Sequence, residues 1–327
     1  MKRTIGIHTI VALLVVATGT AQESKEATPS GTETVGPRLR VRFLATRQRG
    51  EKTTTTPTIL LLHPGDKGAS VFVGTQVALR TSDKGAPTVV FKNAGVQARV
   101  TAHAEGDGRY RLEASFEEGA VLEAGGSTAV SGDNPILRVV KSESRLVMRA
   151  GETMPFADAV EAVTGDLVRI QIALDTPLAA KTSGVGANPD AGLRARFVFR
   201  RRQGEKTIAE RPYSVTLQPG DGRAANVFGG AMLPLEVSYE GRPTVMLKDV
   251  GAGVKLEAHR IADGRHRLDL SVSDGSLSSA SGSPRVQAMQ AESRLYLREG
   301  ETVVMASAVD PQSGDTVEAE VSIEVIR

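Results

Sequence analysis

Two histidines at matched places in the sequence are of a type that could do chemistry. His103 and His259 each follow an alanine and each precede an Asp-Gly pair by a few residues. An imidazole can act as a general base or bind a metal, but a metal site needs further ligands at suitable spacing. The chain has no cysteine, only five histidines and no His-Glu-x-x-His pattern. We therefore interpret both histidines as structural or surface residues and predict no catalytic, cofactor-binding or metal site.

Two Asp-Gly pairs lie at matched places in the sequence, and none of the common enzyme motifs is present. Asp107 and Asp263 each precede a glycine, but a calcium loop needs several oxygen ligands at regular intervals, so hairpin turns are the better interpretation. No P-loop, dinucleotide-binding or Gly-x-Ser-x-Gly motif is present, and no motif places a pair of carboxylates. We predict a protein that is not an enzyme. A carbohydrate-acting surface enzyme is the remote alternative and would need two carboxylates facing each other across a cleft.

Arginines are concentrated near the start of each half of the chain. Such clusters could bind phosphate-bearing lipid or an acidic polymer. Most of them alternate with apolar residues, however, which is typical of the solvent-facing side of a strand, and charged edge strands also resist aggregation. We favour this second interpretation for Arg38, Arg40, Arg42, Arg194 and Arg196. We expect the others to lie at hairpin tips: Arg47, Arg49 and the run Arg200–Arg202 beside Lys206.

The first residues have the layout of a secretory signal peptide. A basic start at Lys2 and Arg3 precedes an apolar run from Ile5 to Ala17 and small residues before Ala21, after which we predict cleavage. An uncleaved membrane anchor is the alternative, although the run is short for a spanning helix. Cleavage removes two of the 40 basic residues and leaves 38 against 38 acidic ones, so we predict no nucleic-acid partner. Without cysteine, an exported chain has no disulfides to stabilise it.

The remainder of the sequence consists of two similar halves. We predict a flexible leader over 22–37, module 1 over 38–175, a linker over 176–192 and module 2 over 193–327, because the leader and the linker are polar and rich in Gly, Ser, Thr and Pro. Six motifs recur in the same order, which indicates duplication. The matched pairs begin at Gly50 and Gly204, His63 and Gln218, Ala102 and Ala258, Glu143 and Glu292, Gly151 and Gly300, and Gly165 and Gly314.

Hydrophobic residues alternate with polar ones through both halves. The pattern is clear from Val317 to Val325 and from Tyr110 to Phe116, and Gly or Asp lies between such segments. A period of two is typical of half-buried strands, and the intervening residues suit tight hairpins. The sequence therefore predicts an all-β fold of two tandem, similar antiparallel modules, each long enough for its own core.

Several segments of module 2 follow one another in a definite order: 211–217, 225–230, 233–234, 245–251, 263–270, Pro284 and 294–302. Their order resembles that of the core domain of the secretins, the outer-membrane ring proteins of type II and III secretion and type IV pilus systems. Module 1 follows the same order more faintly, through 69–74, 91–95 and Pro135. The gate-forming insertion of that family is missing, since only about ten residues separate Val77 from Thr88.

The resemblance implies an exported envelope protein, periplasmic or associated with the outer membrane, that acts in binding or assembly and is linked to secretion or pilus machinery. It further implies a protein partner in the envelope, or self-association through strand edges, because secretin subunits complete a barrel with strands from their neighbours. Two modules in one chain could instead pair some of their edges internally. An outer-membrane pore or pore accessory is the alternative function.

Overall fold

The computed structural model describes residues 36–83, 86–122, 136–161, 164–176, 192–220, 224–239, 242–261, 263–278, 285–311 and 313–326. The predicted signal peptide, and nearly all of the predicted leader and linker, lie outside these residues. Within them, module 1 contains β1 (Leu39–Arg49), β2 (Lys52–Leu62), β3 (Ala69–Asp83), β4 (Ala86–Gly106), β5 (Arg109–Leu122), β6 (Ile136–Arg149), β7 (Thr153–Val160) and β8 (Leu167–Asp175). Module 2 contains β9 (Gly192–Gln203), β10 (Lys206–Leu217), β11 (Ala225–Tyr239), β12 (Arg242–Arg260), β13 (His266–Ser278), β14 (Arg285–Leu297), β15 (Thr302–Val309) and β16 (Thr316–Ile326).

Every one of these strands belongs to one of two eight-stranded antiparallel sheets. The first sheet has the order β10-β9-β16-β15-β2-β1-β8-β7, and the second has the order β11-β12-β13-β14-β3-β4-β5-β6. Each sheet takes four strands from each module, and the two sets of four repeat the same internal order. The predicted all-β class and the duplication are both confirmed.

The turns follow the predicted glycine and aspartate positions. Asp107 adopts a positive φ of 53°, which aspartate tolerates better than most residues, and Gly108 and Gly264 also have positive φ. Gly106 opposes Arg109 across the first of these hairpins. The Asp-Gly pairs therefore serve as turns that fix the register of β4 with β5 and lead from β12 into β13.

One hydrophobic core lies between the two sheets and runs through both modules. Phe43 of β1 contacts Phe116 of the opposite sheet, with ring centroids 5.4 Å apart, and meets Phe156 edge-on. Phe197 and Val272, which match Phe43 and Phe116 in the repeat, are the corresponding buried residues of module 2. The expectation of a separate core for each module is wrong, because the sheets continue across the boundary and leave no surface there to close off each half.

A pair of facing glycines marks the point in each module where a long hairpin leaves the second sheet. Gly74 opposes Gly95 between β3 and β4, and Gly230 opposes Gly251 between β11 and β12. A Cβ on Gly74 would lie 2.3 Å from the carbonyl oxygen of Ala94, and the other three positions are equally tight. Only glycine permits this approach of two backbones.

Candidate assembly surfaces

The two modules join through the strands at the middle of each sheet. In the second sheet β14 pairs with β3 over seven residue pairs, from Val286 with Gln76 to Glu292 with Ser70. In the first sheet β15 pairs with β2 over three, centred on Ser307 with Ile59. Backbone hydrogen bonds thus close this junction in both layers. They cover four strand edges, two from each module, that the separated modules would expose.

Side chains add a set of cross-module contacts on top of this pairing. Nη2 of Arg38 donates to Oε1 of Glu301 over 2.7 Å and to the carbonyl oxygen of Tyr296 over 3.1 Å. Nη1 of Arg294 lies 3.4 Å from Oδ1 of Asp66, and burial raises the pKa of Asp66. These groups are largely buried, so their partners are needed to offset lost hydration.

His63 lies within this set and is a residue that sequence reasoning noted only as part of a repeated motif. Its ring is 3% exposed, its Nδ1 lies 3.1 Å from the carbonyl oxygen of Gly36, and the ring of Tyr296 packs edge-on against it. Burial lowers the pKa of His63 to about 4, with Arg38 acting in the same direction. The imidazole is therefore neutral at pH 7 and serves as a packed aromatic residue of the junction. The signal that could have indicated this role was the change to Gln218 at the matching motif position.

Two pairs of strands form the outer ends of the sheets. Within the described residues, β6 and β7 have no neighbour on one side at the module 1 end, and β10 and β11 have none at the module 2 end. The exposed large hydrophobic residues of the described chain all lie on these four strands: Val139, Val147, Val160, Ile208 and Phe228. Apolar side chains gathered at open strand edges are typical of a surface that pairs with protein.

The internal junction shows what the same positions look like when covered. Phe228 is 52% exposed, whereas Phe72, which holds the same place in module 1, is 5% exposed against β14. Val147 is 48% exposed, whereas Tyr296 at the matching place of module 2 is 4% exposed. The two open ends therefore carry the two halves of a junction that the chain already closes once.

A buried ionic cluster links the two sheets near the open end of module 1. Arg47 of β1 binds Glu118 of β5 over 2.9 Å and also pairs with Glu161. Nη1 of Arg138 on β6 reaches Glu161 over 3.2 Å. Asp166, which is 1% exposed, receives two bonds from Arg49 of 2.8 and 2.9 Å, and hydrogen bonds from Arg49 chiefly lower its pKa to about 2.

Module 2 has a related arrangement with fewer charges, in which Arg201, Gln287 and Asp315 match Arg47, Arg138 and Asp166 of module 1. Nη1 of Arg201 contacts Oε1 of Gln287 over 2.9 Å and Asp315 over 3.5 Å. Arg211 of β10 binds Asp274 of β13 over 2.6 Å, and burial raises the pKa of Asp274. Since these bonds connect strands of different sheets, both clusters fix the relative position of the layers.

The predicted arginine faces are occupied by ion pairs within the chain. Arg40 and Arg42 both contact Asp175, and Arg200 binds Glu320 over 2.7 Å and Glu210 over 3.1 Å. The remaining members with recorded pairs are Arg38, Arg47, Arg49, Arg194, Arg201 and Arg202. Arg40, Arg42, Arg194, Arg200 and Arg202 pair with carboxylates of neighbouring strands in the same sheet, which is the arrangement of a cross-strand ladder. Arg38, Arg47 and Arg201 instead take part in the largely buried contacts described above.

The structure keeps the two candidate histidines apart. His103 of β4 opposes Arg111, and His259 of β12 opposes Arg267 and binds Glu257 through Nε2 over 2.8 Å. Both side chains are half-buried on the surface of the second sheet. In the part of the chain that the structure describes, no three His, Asp or Glu side chains come together as a group that could hold a metal ion.

An open groove of about 420 Å³ crosses the outer face of the second sheet at the module junction. Cations and carboxylates line it in nearly equal number, with Arg99 and Lys255 on one hand and Asp269 and Glu292 on the other. Asp269 accepts a 2.6 Å bond from Arg294, and Glu292 accepts one from Ser271. The carboxylates of the groove thus already have partners within the sheet.

The fold and the edges define a duplicated two-layer β protein. No family model and no curated protein matches the chain. Among solved structures it is similar to the type II secretion secretin GspD of E. coli K12 (12% identity, 89% of this chain and 51% of that one, TM-score 0.30). It is also similar to the secretin XcpQ of Pseudomonas aeruginosa (13%, 89% and 59%, 0.29) and to the type IV competence pilus secretin PilQ of V. cholerae (15%, 88% and 60%, 0.24).

This chain therefore spans little more than half the length of the secretins that it matches. All three of these solved structures are secretins, the family that the order of motifs in the sequence resembles. In the described ranges, no helix is of the length and apolar character needed to cross a membrane.

Proposed function

We propose that the protein is a non-catalytic assembly component of the cell envelope, in which copies of the chain join edge to edge. The observation that carries this proposal is the exposure of Phe228 and Val147 at open edges, while Phe72 and Tyr296 are buried at the internal junction. Each exposed apolar residue has a counterpart in the other module that is buried against the neighbouring module. The exposed residue is therefore expected to be covered by a neighbour of the same kind. The second copy supplies it, because its other end carries the complementary strands.

The register of the strands that pair at the module junction predicts which residues oppose each other between two chains. By transfer of the β14–β3 pairs, Lys141 of one copy opposes Phe228 of the next, and Glu143 opposes Asn226. By transfer of the β15–β2 pairs, Asp158 opposes Ser214. No two like charges oppose each other among these pairs, so the sequence is compatible with continued sheets.

Proline does not block this contact. Pro212 lies in the open strand β10 and lacks an amide donor, but it occupies the place that Pro57 has in β2. The internal pairing of β2 begins at the next residue, Thr58, which opposes Ala308. Pro212 therefore limits the length of the pairing and leaves the three pairs beyond it intact.

The two ends differ, so the contact is head-to-tail. Such heterologous contacts produce closed rings where the rotation between copies closes and open filaments where it does not. A ring in the envelope, working with secretion or pilus machinery, is the role that the motif order and the predicted signal peptide support. A pore is the form such a ring takes if it also inserts into the outer membrane.

The test is the mass of residues 22–327 in solution, by light scattering after chromatography, with and without detergent. We expect species larger than a monomer, and smaller species from Phe228→Asp. Gln97→Asp is the matched control, since Gln97 is exposed on β4, an inner strand of the same sheet. A monomer at all concentrations in both media would overturn the proposal, and a ring that resists dissociation in detergent would favour the pore.

A further inference from the structure

We infer that the contact between chains is a weaker copy of the junction inside the chain, so that the tandem pair of modules is a permanent unit and its assembly is reversible. This inference rests on the proposed edge-to-edge assembly and concerns its strength. The side chains that close the internal junction differ, position by position, from those at the open ends.

One part of the internal set is retained at the open ends. Ser293 donates to the carbonyl oxygen of Leu61 over 2.8 Å, and Ser144 holds its place on β6. Arg294 binds Asp269 within its own module and reaches Asp66 across the boundary. Its counterpart Arg145 binds Glu113 in the same way over 2.6 Å, and the matching aspartate of the second half, Asp221, lies outside the described residues.

The other part is replaced by smaller or uncharged residues. Val147 stands where Tyr296 does, and Gln218 stands where His63 does, so the edge-to-face ring contact has no equivalent between chains. Leucine follows both Arg38 and Gly192 at the start of the first strand, and Gly192 therefore takes the place of Arg38. Arg38 forms the shorter of the two cross-module ion pairs, with Glu301, and this cation has no counterpart at the open end.

Glu152 shows the consequence most directly. Oε2 of Glu301 accepts the backbone N–H of Arg298 over 3.0 Å, which leaves Oε1 to bind Arg38. Oε2 of Glu152 accepts the backbone N–H of Arg149 over 2.7 Å in the same way. Its Oε1 has no recorded partner in the described part of the chain. Between chains this carboxylate meets Gly192, so one half of the ion pair is present without the other.

An aromatic contact and a mostly buried ion pair are both missing between chains. Their loss weakens association by more than the loss of a contact at the exposed rim would. A junction within one chain also closes at a high effective concentration, whereas a contact between chains depends on the concentration of free protein. Both effects act in the same direction. Chains are therefore expected to exchange between assemblies, while the two modules of each chain stay together.

The experiment restores the missing residues. The triple variant Val147→Tyr, Gln218→His, Gly192→Arg gives the open ends the side chains of the internal junction. The sites tolerate these changes, because Val147 is half-exposed and a Cβ on Gly192 would lie no closer than 3.7 Å to any other atom. Sedimentation velocity over a dilution series measures association of the wild type, of the triple variant and of a control, Val147→Thr with Gln218→Asn.

We expect the wild type to associate at high concentration and dissociate on dilution, and the triple variant to associate about tenfold more tightly or better. The control should associate no more tightly than the wild type. A wild type that stays assembled on dilution, or a triple variant no tighter than the wild type, would overturn this inference and leave the edge-to-edge assembly standing. Monomers for both proteins at every concentration would instead overturn the assembly itself.

Discussion

The rings of Tyr296 and His63 meet edge-on across the module boundary, with centroids 4.8 Å apart and planes inclined at 71°. Tyr296 belongs to β14 of module 2, and His63 follows β2 of module 1. This geometry brings the positive edge of one ring to the face of the other and adds to the burial of both. Because it needs a neutral, buried imidazole, it ties the stability of the junction to pH.

Replacing His63 by the residue of the second half should flatten the acid limb of the stability curve. Burial lowers the pKa of His63 to about 4, whereas the unfolded value is 6.5. Between these values the unfolded chain binds the proton and the folded chain does not, so wild-type stability falls as pH falls through this window, by up to roughly 3 kcal/mol.

Urea unfolding from pH 7 to pH 4 measures the effect. His63→Gln should have a clearly shallower slope between pH 6.5 and pH 4, and part of the remaining slope comes from His266, whose pKa is also lowered by burial. Tyr296→Phe is the control, because it keeps the imidazole and the ring and removes only the hydroxyl that donates to Asp66. Its slope should stay closer to that of the wild type than the slope of His63→Gln does. An unchanged slope in His63→Gln would show that another group is responsible.

Asp166 should control a second, more acidic window. Hydrogen bonds from Arg49 chiefly lower the pKa of Asp166 to about 2, below its ordinary value of 3.8. The stabilisation is present above pH 3.8 and is lost as pH falls from 3.8 toward 2. Asp166→Asn should therefore be less stable than the wild type at pH 7 and approach it near pH 2. Thermal unfolding at pH 7, 4 and 2 measures this, and Asp107→Asn, at an exposed turn, is the control.

Glu161 should be a costly residue of the ionic cluster to neutralise. It is 5% exposed and pairs with both Arg47 and Arg138. Glu161→Gln leaves two buried cations with one carboxylate fewer, at a cost of roughly 3 kcal/mol. Asp158→Asn breaks an exposed pair with Arg169 and should cost less than about 1 kcal/mol. Equal midpoints for the two variants in urea would contradict the buried cluster.

Local patterns in the sequence predicted the strands, the turns and the duplication. Alternation from Val317 to Val325 corresponds to β16, and the Asp-Gly pair at Asp107 is a turn with positive φ. These features depend on neighbours a few residues apart, which a single sequence displays directly. The matched motifs also aligned the two halves well enough to compare individual positions such as Phe72 and Phe228.

Long-range pairing was not predictable in the same way. Nothing in the alternation of β3 shows that its neighbour is β14, because any strand with one apolar face could pair there. The junction residues Arg38 and His63 gained their roles only through that pairing. Likewise, the sequence predicted Arg200 at a hairpin tip, but Arg200 lies within β9 and binds Glu320, which is 120 residues further along the chain.

The glycine pair at Gly74 and Gly95 gives a prediction about the repeated motif itself. The secretin-like segments 69–74 and 225–230 each end in a glycine. In the structure that glycine faces another glycine across the hairpin. A Cβ on Gly74 would lie 2.3 Å from the oxygen of Ala94 and 2.5 Å from the Cα of Gly95. Both contacts are with backbone, which cannot rotate away as a side chain can.

Gly74→Ala should therefore destabilise the protein by roughly 1–3 kcal/mol, because relief requires the two strands to separate where the hairpin leaves the sheet. Gly119→Ala is the matched control in β5, where the nearest atoms would be 3.6 Å away. Its effect should stay within about 0.5 kcal/mol. Urea midpoints of the two variants decide the matter. If Gly74→Ala unfolds at the same midpoint as Gly119→Ala, the hairpins do not cross as closely as the structure shows, and the motif glycine needs another explanation.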